Sequence, residues 1–277
     1  MILQVKEVMT ENPVTIEPYQ SLMEVKELMR SKRIGGLPVV ENNQVIGIIT
    51  SKDLIFYPEN RLVIDAMTKE PVVIEKSAYL FEAYQKMINN KIERLPVVDD
   101  TGKLVGIITR KVIERYIGSY FDPMTGLPKK EYALYKCIEL IKNNKPCSIA
   151  FIDLNNFGEL NKKHGHVVGD QILIKVAEIL KQLDESMIAA RYGGDEFIVI
   201  MPFEEEKAND FTKKLLTTFE NVQWPENIDL KCAVGIKEVT ISEKTKIFDD
   251  IFYCINQASL KCNAIKKHFF QKSNDDL

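Results

Sequence analysis

The sequence predicts an α/β (α+β) protein: a tandem-repeat domain over residues 1–118, then a βαββαβ domain over 119–277. Three observations predict it. Short motifs in the first 120 residues return 58 or 59 positions later. From Phe121 onward strand-like and helix-like segments alternate. The pair Gly193-Gly194 writes a tight hairpin turn of the primed type, and Asp195 and Glu196 follow it at once.

Composition limits the function classes. A chain of 277 residues suggests two domains, and 45% hydrophobic with 28% charged residues is ordinary globular material. A net charge of −3 gives no basic footprint for nucleic acid. No apolar run approaches the ~20 residues of a membrane span. The start, Met1-Ile2-Leu3-Gln4-Val5-Lys6, lacks the layout of a secretion signal, so a cytoplasmic protein with no membrane partner is expected. Five scattered cysteines without metal-ligand spacing read as reduced thiols. His164, His166 and His268 are too few for histidine-based catalysis.

In the first half, Val14-Thr15-Ile16-Glu17 recurs as Val72-Val73-Ile74-Glu75, and Leu37-Pro38-Val39-Val40 as Leu95-Pro96-Val97-Val98. Met9-Thr10 returns as Met67-Thr68. Gly47-Ile48-Ile49-Thr50 returns one position late as Gly106-Ile107-Ile108-Thr109, which places an extra residue in the second turn near Asp100-Thr101-Gly102. Each unit reads as strand, amphipathic helix, two strands around a tight turn, and a further helix. The helical stripes are Leu22, Val25, Leu28, Met29 and Leu80, Ala83, Met87, Ile88. Neither unit can bury its apolar face alone, so the two must pack together.

On these residues the first half resembles a tandem pair of CBS domains (named from cystathionine β-synthase), with repeats at about 1–58 and 59–118. The resemblance implies a regulatory module that binds an adenosine-type ligand, AMP, ADP or ATP, between the repeats. Its ligand signature, Thr or Ser followed three residues later by Asp, stands as Thr50-Ser51-Lys52-Asp53. A short carboxylate accepts both ribose hydroxyls, while a hydroxyl and backbone N–H groups receive phosphate. The second unit keeps Thr109 but has Val112 where the Asp belongs, which removes the ribose acceptor there; Arg110 and Lys111 retain an attraction for phosphate. Two other readings stay open: Thr50 and Asp53 as a helix cap, and the pair as a ligand-free dimer platform. Between the halves, Val112, Ile113, Tyr116, Ile117 and Tyr120 fall on one helical face. That face either relays motion or caps the first domain, and capping is the reading for Val112 and Ile113.

In the second half, a buried strand over 148–154 ends in an acid, Asp153. A helix over 168–183 follows, with Ile172, Leu173, Val176, Ile179, Leu180 and Leu183 inward, and then the hairpin. A helix near 207–219, a strand over 230–237 and a helix over 248–267 close the domain. The hairpin is expected to lie beside the strand of Asp153, so that Asp153, Asp195 and Glu196 converge. Three oxygen donors at one point suit Mg²⁺ or Mn²⁺ beside phosphate.

These residues resemble the GGDEF domain of diguanylate cyclases. The resemblance covers Asp122-Pro123-Met124-Thr125-Gly126-Leu127-Pro128, the segment from Asn161 to Asp170, and Gly193-Gly194-Asp195-Glu196-Phe197. It implies GTP as substrate, cyclic di-GMP as product, and a homodimer whose two GTP sites face each other. It further implies metal on Asp153, Asp195 and the Leu154 backbone, with Glu196 assisting the metal or the attacking 3′-hydroxyl. Guanine falls to Asn161 and Asp170, and the phosphates to backbone N–H groups around Asn155 to Phe157, beside Gly193, Gly194 and Lys267. Taken alone, Asp170 reads as a helix N-cap, Asn161 as a helix-end residue, and His166 as structural.

The departures are Asn155 for a second acid, Gly158 for a phosphate-binding Lys, and Asn263 and Lys267 for a Lys and an Arg. Two lost cationic contacts at ~1.5–3 kcal/mol each cost on the order of 10²–10⁴ in rate or affinity. The expectation is a weak cyclase, with a silent GTP-binding module as the alternative. The Arg-x-x-Asp product-inhibition motif is replaced by Asp184 and Met187, which predicts no feedback through that route.

Overall fold

The computed structural model describes the backbone of residues 2–275 and the side chains of 2–243 and 245–267. Met1, residues 276–277 and the His268 side chain lie outside the described residues. The chain divides into two compact units, 1–118 and 119–277.

In chain order the first unit runs β1 (Thr10–Glu11), α1 (Leu22–Lys32), β2 (Gly36–Glu41), β3 (Gln44–Thr50), α2 (Asp53–Phe56), α3 (Val63–Ala66), β4 (Thr68–Lys69), β5 (Ile74–Glu75), α4 (Leu80–Asn89), β6 (Arg94–Val98), β7 (Leu104–Thr109) and α5 (Arg110–Ile117). Helix α1 opens on a reciprocal cap, Ser21 N–H donating to Glu24 Oε2 at 2.9 Å and Glu24 N–H to Ser21 Oγ at 3.3 Å. The β2–β3 turn carries positive φ at Asn42 (51°) and Asn43 (65°), the signs a type I′ hairpin needs. The matching β6–β7 turn is longer. Asp99 Oδ1 there accepts from the N–H groups of Thr101 and Lys103, both at 3.0 Å.

The two repeats exchange arms. Strand β1 of the first repeat pairs with β7 of the second, and β4, which opens the second, pairs with β3 of the first. Two separate cores result. One gathers Ile16, Leu22, Val25, Leu37 and Ile49 and is closed by Val63 and Ala66; the other gathers Leu80, Met87, Leu95 and Ile108 and is closed by Val5. Neither repeat is therefore complete from its own residues. The repeated Met9 and Met67 mark these arms: a Cβ on Gly106 or Gly47 would lie 2.5 or 2.4 Å from their sulfurs. In α4 the inward stripe differs from expectation, because Ile88 is 45% exposed and Phe81 is buried instead. Ile113 is buried in the second core and Ile117 packs on it, while Tyr116 is exposed. Helix α5 stops at Ile117 and a 3₁₀ turn, Gly118–Tyr120, follows. The stripe predicted to reach Tyr120 thus breaks at Gly118.

The second unit runs α6 (Lys130–Lys142), β8 (Ser148–Leu154), α7 (Phe157–His164), α8 (His166–Leu180), β9 (Ile188–Gly193), β10 (Glu196–Met201), α9 (Glu205–Glu220), β11 (Cys232–Glu238) and α10 (Ile247–Asp275). Its sheet has the order β11-β8-β10-β9 with every pairing antiparallel. Strand β8 is central and buried along its whole length. Side chains alternate across a strand, so the sheet has two covered faces. Ala150, Ile152 and Leu154 share a core with Val176 and Leu180 of α8 and Leu215 and Phe219 of α9. Asp153 lies on the opposite face, where α10 runs along β8 and β11. The closeness of α10 depends on Gly235 of β11, whose added Cβ would stand 2.0 Å from the Ala258 carbonyl oxygen and 2.4 Å from the Cys262 nitrogen. Cys262 Sγ also donates to the Ala233 carbonyl oxygen at 3.2 Å.

Two local readings are corrected. The hairpin turns one residue later than its glycines suggested. Gly193 ends β9 and pairs with Glu196, leaving Gly194 and Asp195 at the tip, and of these two only Gly194 has positive φ (51°). That is the sign pattern of a II′ turn. The helix expected from residue 168 begins at His166, so Asp170 is exposed inside α8 and is not its N-cap. Asn161 sits within α7, where its carbonyl oxygen accepts from Gly165 N–H at 2.9 Å.

Candidate functional site

The acidic residues are brought together by strand register. Asp153 is the Cα partner of Glu196 across the β8–β10 pair, and Leu154 N–H donates to the Asp195 carbonyl oxygen at 3.4 Å. One carboxylate from β8 therefore meets two from the hairpin. Burial pushes the Asp195 and Glu196 carboxyls above their ordinary range, and the charge of Asp153 pushes both in the same direction. A cationic side chain stands among these groups. Lys266 Nζ donates to Asp153 Oδ1 at 2.5 Å and to the Leu154 carbonyl oxygen at 3.1 Å. Among the described residues no three or more His, Cys, Asp or Glu side chains are already arranged around one metal position. The donors nonetheless fit a cation, since two of the oxygens predicted to hold metal hold an ammonium.

The tip that carries Asp195 is fixed by Arg191. Its Nε and Nη2 both donate to the Gly194 carbonyl oxygen, at 3.0 and 2.8 Å, and its Nη1 donates to Asp122 Oδ1 at 3.0 Å. Asp122 belongs to the motif at the head of the unit. It also accepts from the Thr125 N–H and hydroxyl at 2.8 and 2.7 Å. Burial pushes the Asp122 carboxyl up, but the Thr125 donors and the Arg191 guanidinium outweigh it and hold the group below the usual carboxylate range. Sequence reasoning gave no role to Arg191 or Lys266. An arginine two residues before the glycine pair was the available signal for the first. For the second, four-residue spacing from Cys262 is a signal only once α10 is known to lie on β8.

On the nucleobase side, Asn161 Oδ1 is buried without a partner and lies 2.0 Å from where a Cβ on Gly169 would stand. An orphaned buried acceptor costs about 1–3 kcal/mol, which a bound N–H donor recovers. Phe157, at the start of α7, is buried. The backbone cradle is smaller than expected, because Asn155 N–H is taken by the Lys231 carbonyl oxygen at 2.8 Å. A Cβ on Gly158 would stand in open space, and Asn263 and Lys267 are exposed. Lys266, one residue before the predicted Lys267, is the lysine that bonds Asp153 among the described residues.

In the first unit a cleft of about 400 Å³ is lined by Thr50, Asp53, Thr68, Lys91 and Arg94 among others. Asp53 Oδ2 accepts from Thr50 N–H at 2.7 Å and from its hydroxyl at 2.8 Å, which ties the end of β3 to the start of α2. The cleft-lining position holds for both residues, whereas the cap reading does not: α2 begins at Asp53, its N-cap is Lys52, and no side chain caps it. Thr109 precedes α5 in extended conformation without a side-chain capping bond.

The model of the diguanylate cyclase GGDEF domain matches residues 119–268. The chain belongs to this family. The CBS domain model matches residues 5–60 and 63–119, so a tandem CBS pair precedes the GGDEF domain. Among similar proteins are an inosine-5′-monophosphate dehydrogenase of Nitrosopumilus maritimus, 39% identical over 116 residues, and an uncharacterized protein of Methanocaldococcus jannaschii, 29% identical over 203 residues. The first alignment covers 40% of this chain and 24% of the dehydrogenase; the second covers 72% and 74%. The chain thus spans about a quarter of the length of that dehydrogenase. A solved structure of CBSX2 in complex with AMP is 32% identical, covering 42% of this chain and 96% of that one at a TM-score of 0.39. No helix among the described residues is long and apolar enough to cross a membrane.

Proposed function

We propose that the protein is a cytoplasmic diguanylate cyclase of low activity, condensing two GTP into cyclic di-GMP under control of an adenosine nucleotide at the CBS pair. The observation that carries this reading is the register of Asp153 against Glu196, with Asp195 at the adjoining tip and a cation already seated on Asp153 and the Leu154 carbonyl. In this reading Asp153, Asp195 and the Leu154 carbonyl hold Mg²⁺ or Mn²⁺. Such an ion would supply charge neutralisation for the triphosphate, while the 3′-hydroxyl of one GTP attacks the α-phosphorus of the other in line and pyrophosphate leaves. The chain's own residues position the reactants. Asn161 and Asp170 accept from the guanine N–H groups, and Arg191 keeps the tip at a fixed height over the sheet. Glu196, its carboxyl raised by burial and by Asp153, takes the proton of the attacking 3′-hydroxyl. Each GTP supplies the hydroxyl that attacks the other, so a homodimer with facing sites is required.

In the CBS pair, Asp53 exchanges its bonds to Thr50 for the ribose hydroxyls, freeing the Thr50 hydroxyl for phosphate. Lys91 and Arg94 line the same cleft and supply positive charge. Control requires that the nucleotide bind the productive and unproductive dimers with different affinity. A second reading, GTP binding without turnover, is favoured by Gly158 and by the outward Asn263.

The test is to incubate the full chain with GTP and Mg²⁺ or Mn²⁺, with and without AMP, and to chromatograph the nucleotides. Cyclic di-GMP that disappears in Asp195→Asn, at a rate changed by AMP and no longer changed in Asp53→Ala, supports the proposal. Saturable GTP binding with no product supports the second reading.

A further inference from the structure

Lys266 occupies the position that the proposed function gives to a divalent ion. Its ammonium contacts Asp153 Oδ1 at 2.5 Å and the Leu154 carbonyl oxygen at 3.1 Å. The pair is sheltered, with the Lys266 and Asp153 side chains 21% and 12% exposed. The placement follows from packing. Gly235 lets α10 approach β11 to backbone contact, Cys262 is tied to the Ala233 carbonyl, and Lys266 lies one turn further along the same helical face. Positions 263 and 267, on either side of that face, point outward. An ammonium and a divalent cation cannot share two oxygens at contact distance, because their repulsion in a sheltered site is large.

We infer that Lys266 is a tethered counter-cation that competes with divalent metal for the seat formed by Asp153 and the Leu154 carbonyl. Metal entry then requires the ammonium to leave, and without metal the charge of Asp153 stays offset by Lys266. The position is distinct from Lys267, to which the sequence assigned phosphate contact. The Lys266 charge also opposes the rise of the Asp195 and Glu196 carboxyls, as a counter-ion at this seat should. The inference rests on the metal-binding reading of Asp153 and Asp195.

The experiment is a Mn²⁺ titration of the full chain without nucleotide, followed by the electron paramagnetic resonance signal of free Mn²⁺. Wild type is compared with Lys266→Met and Lys266→Gln, and with Lys213→Met, which removes an equal charge from an exposed position on α9. Emission from the single tryptophan, Trp224, checks folding of each variant. Both Lys266 variants are expected to bind Mn²⁺ about tenfold or more tightly than wild type, the scale of one close charge interaction, while Lys213→Met matches wild type. Unchanged or weaker binding in folded Lys266 variants overturns the competition while leaving the metal site standing. Failure of every protein to bind Mn²⁺, with or without GTP, overturns the metal reading itself.

Discussion

Removing Arg191 should loosen the whole GGDEF domain as well as its hairpin. Its side chain is 13% exposed and its partner Asp122 is 15% exposed, so neither charge is well solvated when left alone. Arg191→Ala deletes two bonds to the Gly194 carbonyl and one to Asp122, and leaves that carboxylate with only the Thr125 donors. Breaking a sheltered, hydrogen-bonded ion pair from one side costs about 3–4 kcal/mol. Asp122→Asn keeps the acceptor oxygen and loses charge assistance, about 1–2 kcal/mol. The two residues touch, so the double variant should fall short of the sum by about 1–3 kcal/mol. Trp224 is buried against Phe219 in this unit, with ring centroids 5.5 Å apart, and its emission isolates the domain from the CBS pair. In a unit of this size each kcal/mol moves Tm by about 2–4 °C, so Arg191→Ala should melt roughly 6–16 °C below wild type. The pH dependence gives a second check. The folded-state value of Asp122 lies below its unfolded value, so its contribution is present above the ordinary aspartate range of about 3.9 and is lost as pH falls through the lower folded value. The gap between wild type and Asp122→Asn should therefore be full at neutral pH and close in acid. An Arg191→Ala variant within ~1 kcal/mol of wild type, or strict additivity, would refute the reasoning.

Gly235→Ala should destabilise the domain by about 2–3 kcal/mol, read from Trp224 emission in urea, because the new methyl meets two backbone atoms of α10 that cannot step aside. Asn161→Ala should leave stability unchanged or raise it, by removing an orphaned buried carbonyl, while weakening GTP binding about 10- to 100-fold by calorimetry. A loss of stability with GTP affinity intact would contradict its assignment to guanine. All five cysteines are free and buried; burial pushes Cys232 up to about 12 and Cys262 up to about 11. Ellman's reagent at pH 8 should therefore react slowly with the native chain and fully after denaturation.

How far the chain could be read from its sequence varies with the kind of signal. The tandem repeat and the long buried strand β8 were legible because hydrophobic periodicity and identical motifs survive without three-dimensional context. The arm exchange between repeats was not. Nothing in Thr10 or Thr68 says which of two equivalent sheets each joins, although Met9 and Met67 record the choice through Gly106 and Gly47. The acidic site was legible as residues and not as geometry. Asp153 and Glu196 were expected together, and their register pairs them, yet the turn fell one residue later than the glycine pair implied. That shift follows from Gly194 alone taking positive φ. The cap reading of Asp170 failed because a helix start two residues earlier placed it mid-turn. Lys266 was invisible for a tertiary reason: it matters only because Gly235 admits α10 to the face of β11 and β8.

The central claim is that Asp153 and Asp195 hold divalent ions against a GTP whose base reaches Asn161. The most direct measurement is an anomalous difference map at the manganese edge, from crystals of the full chain grown with Mn²⁺ and a GTP analogue that cannot be turned over. The expected result is a manganese peak bonded to Asp153, Asp195 and the Leu154 carbonyl, with Lys266 displaced and guanine on Asn161 and Asp170. A nucleotide bound with Lys266 still on Asp153 and no manganese between the two strands would contradict the account.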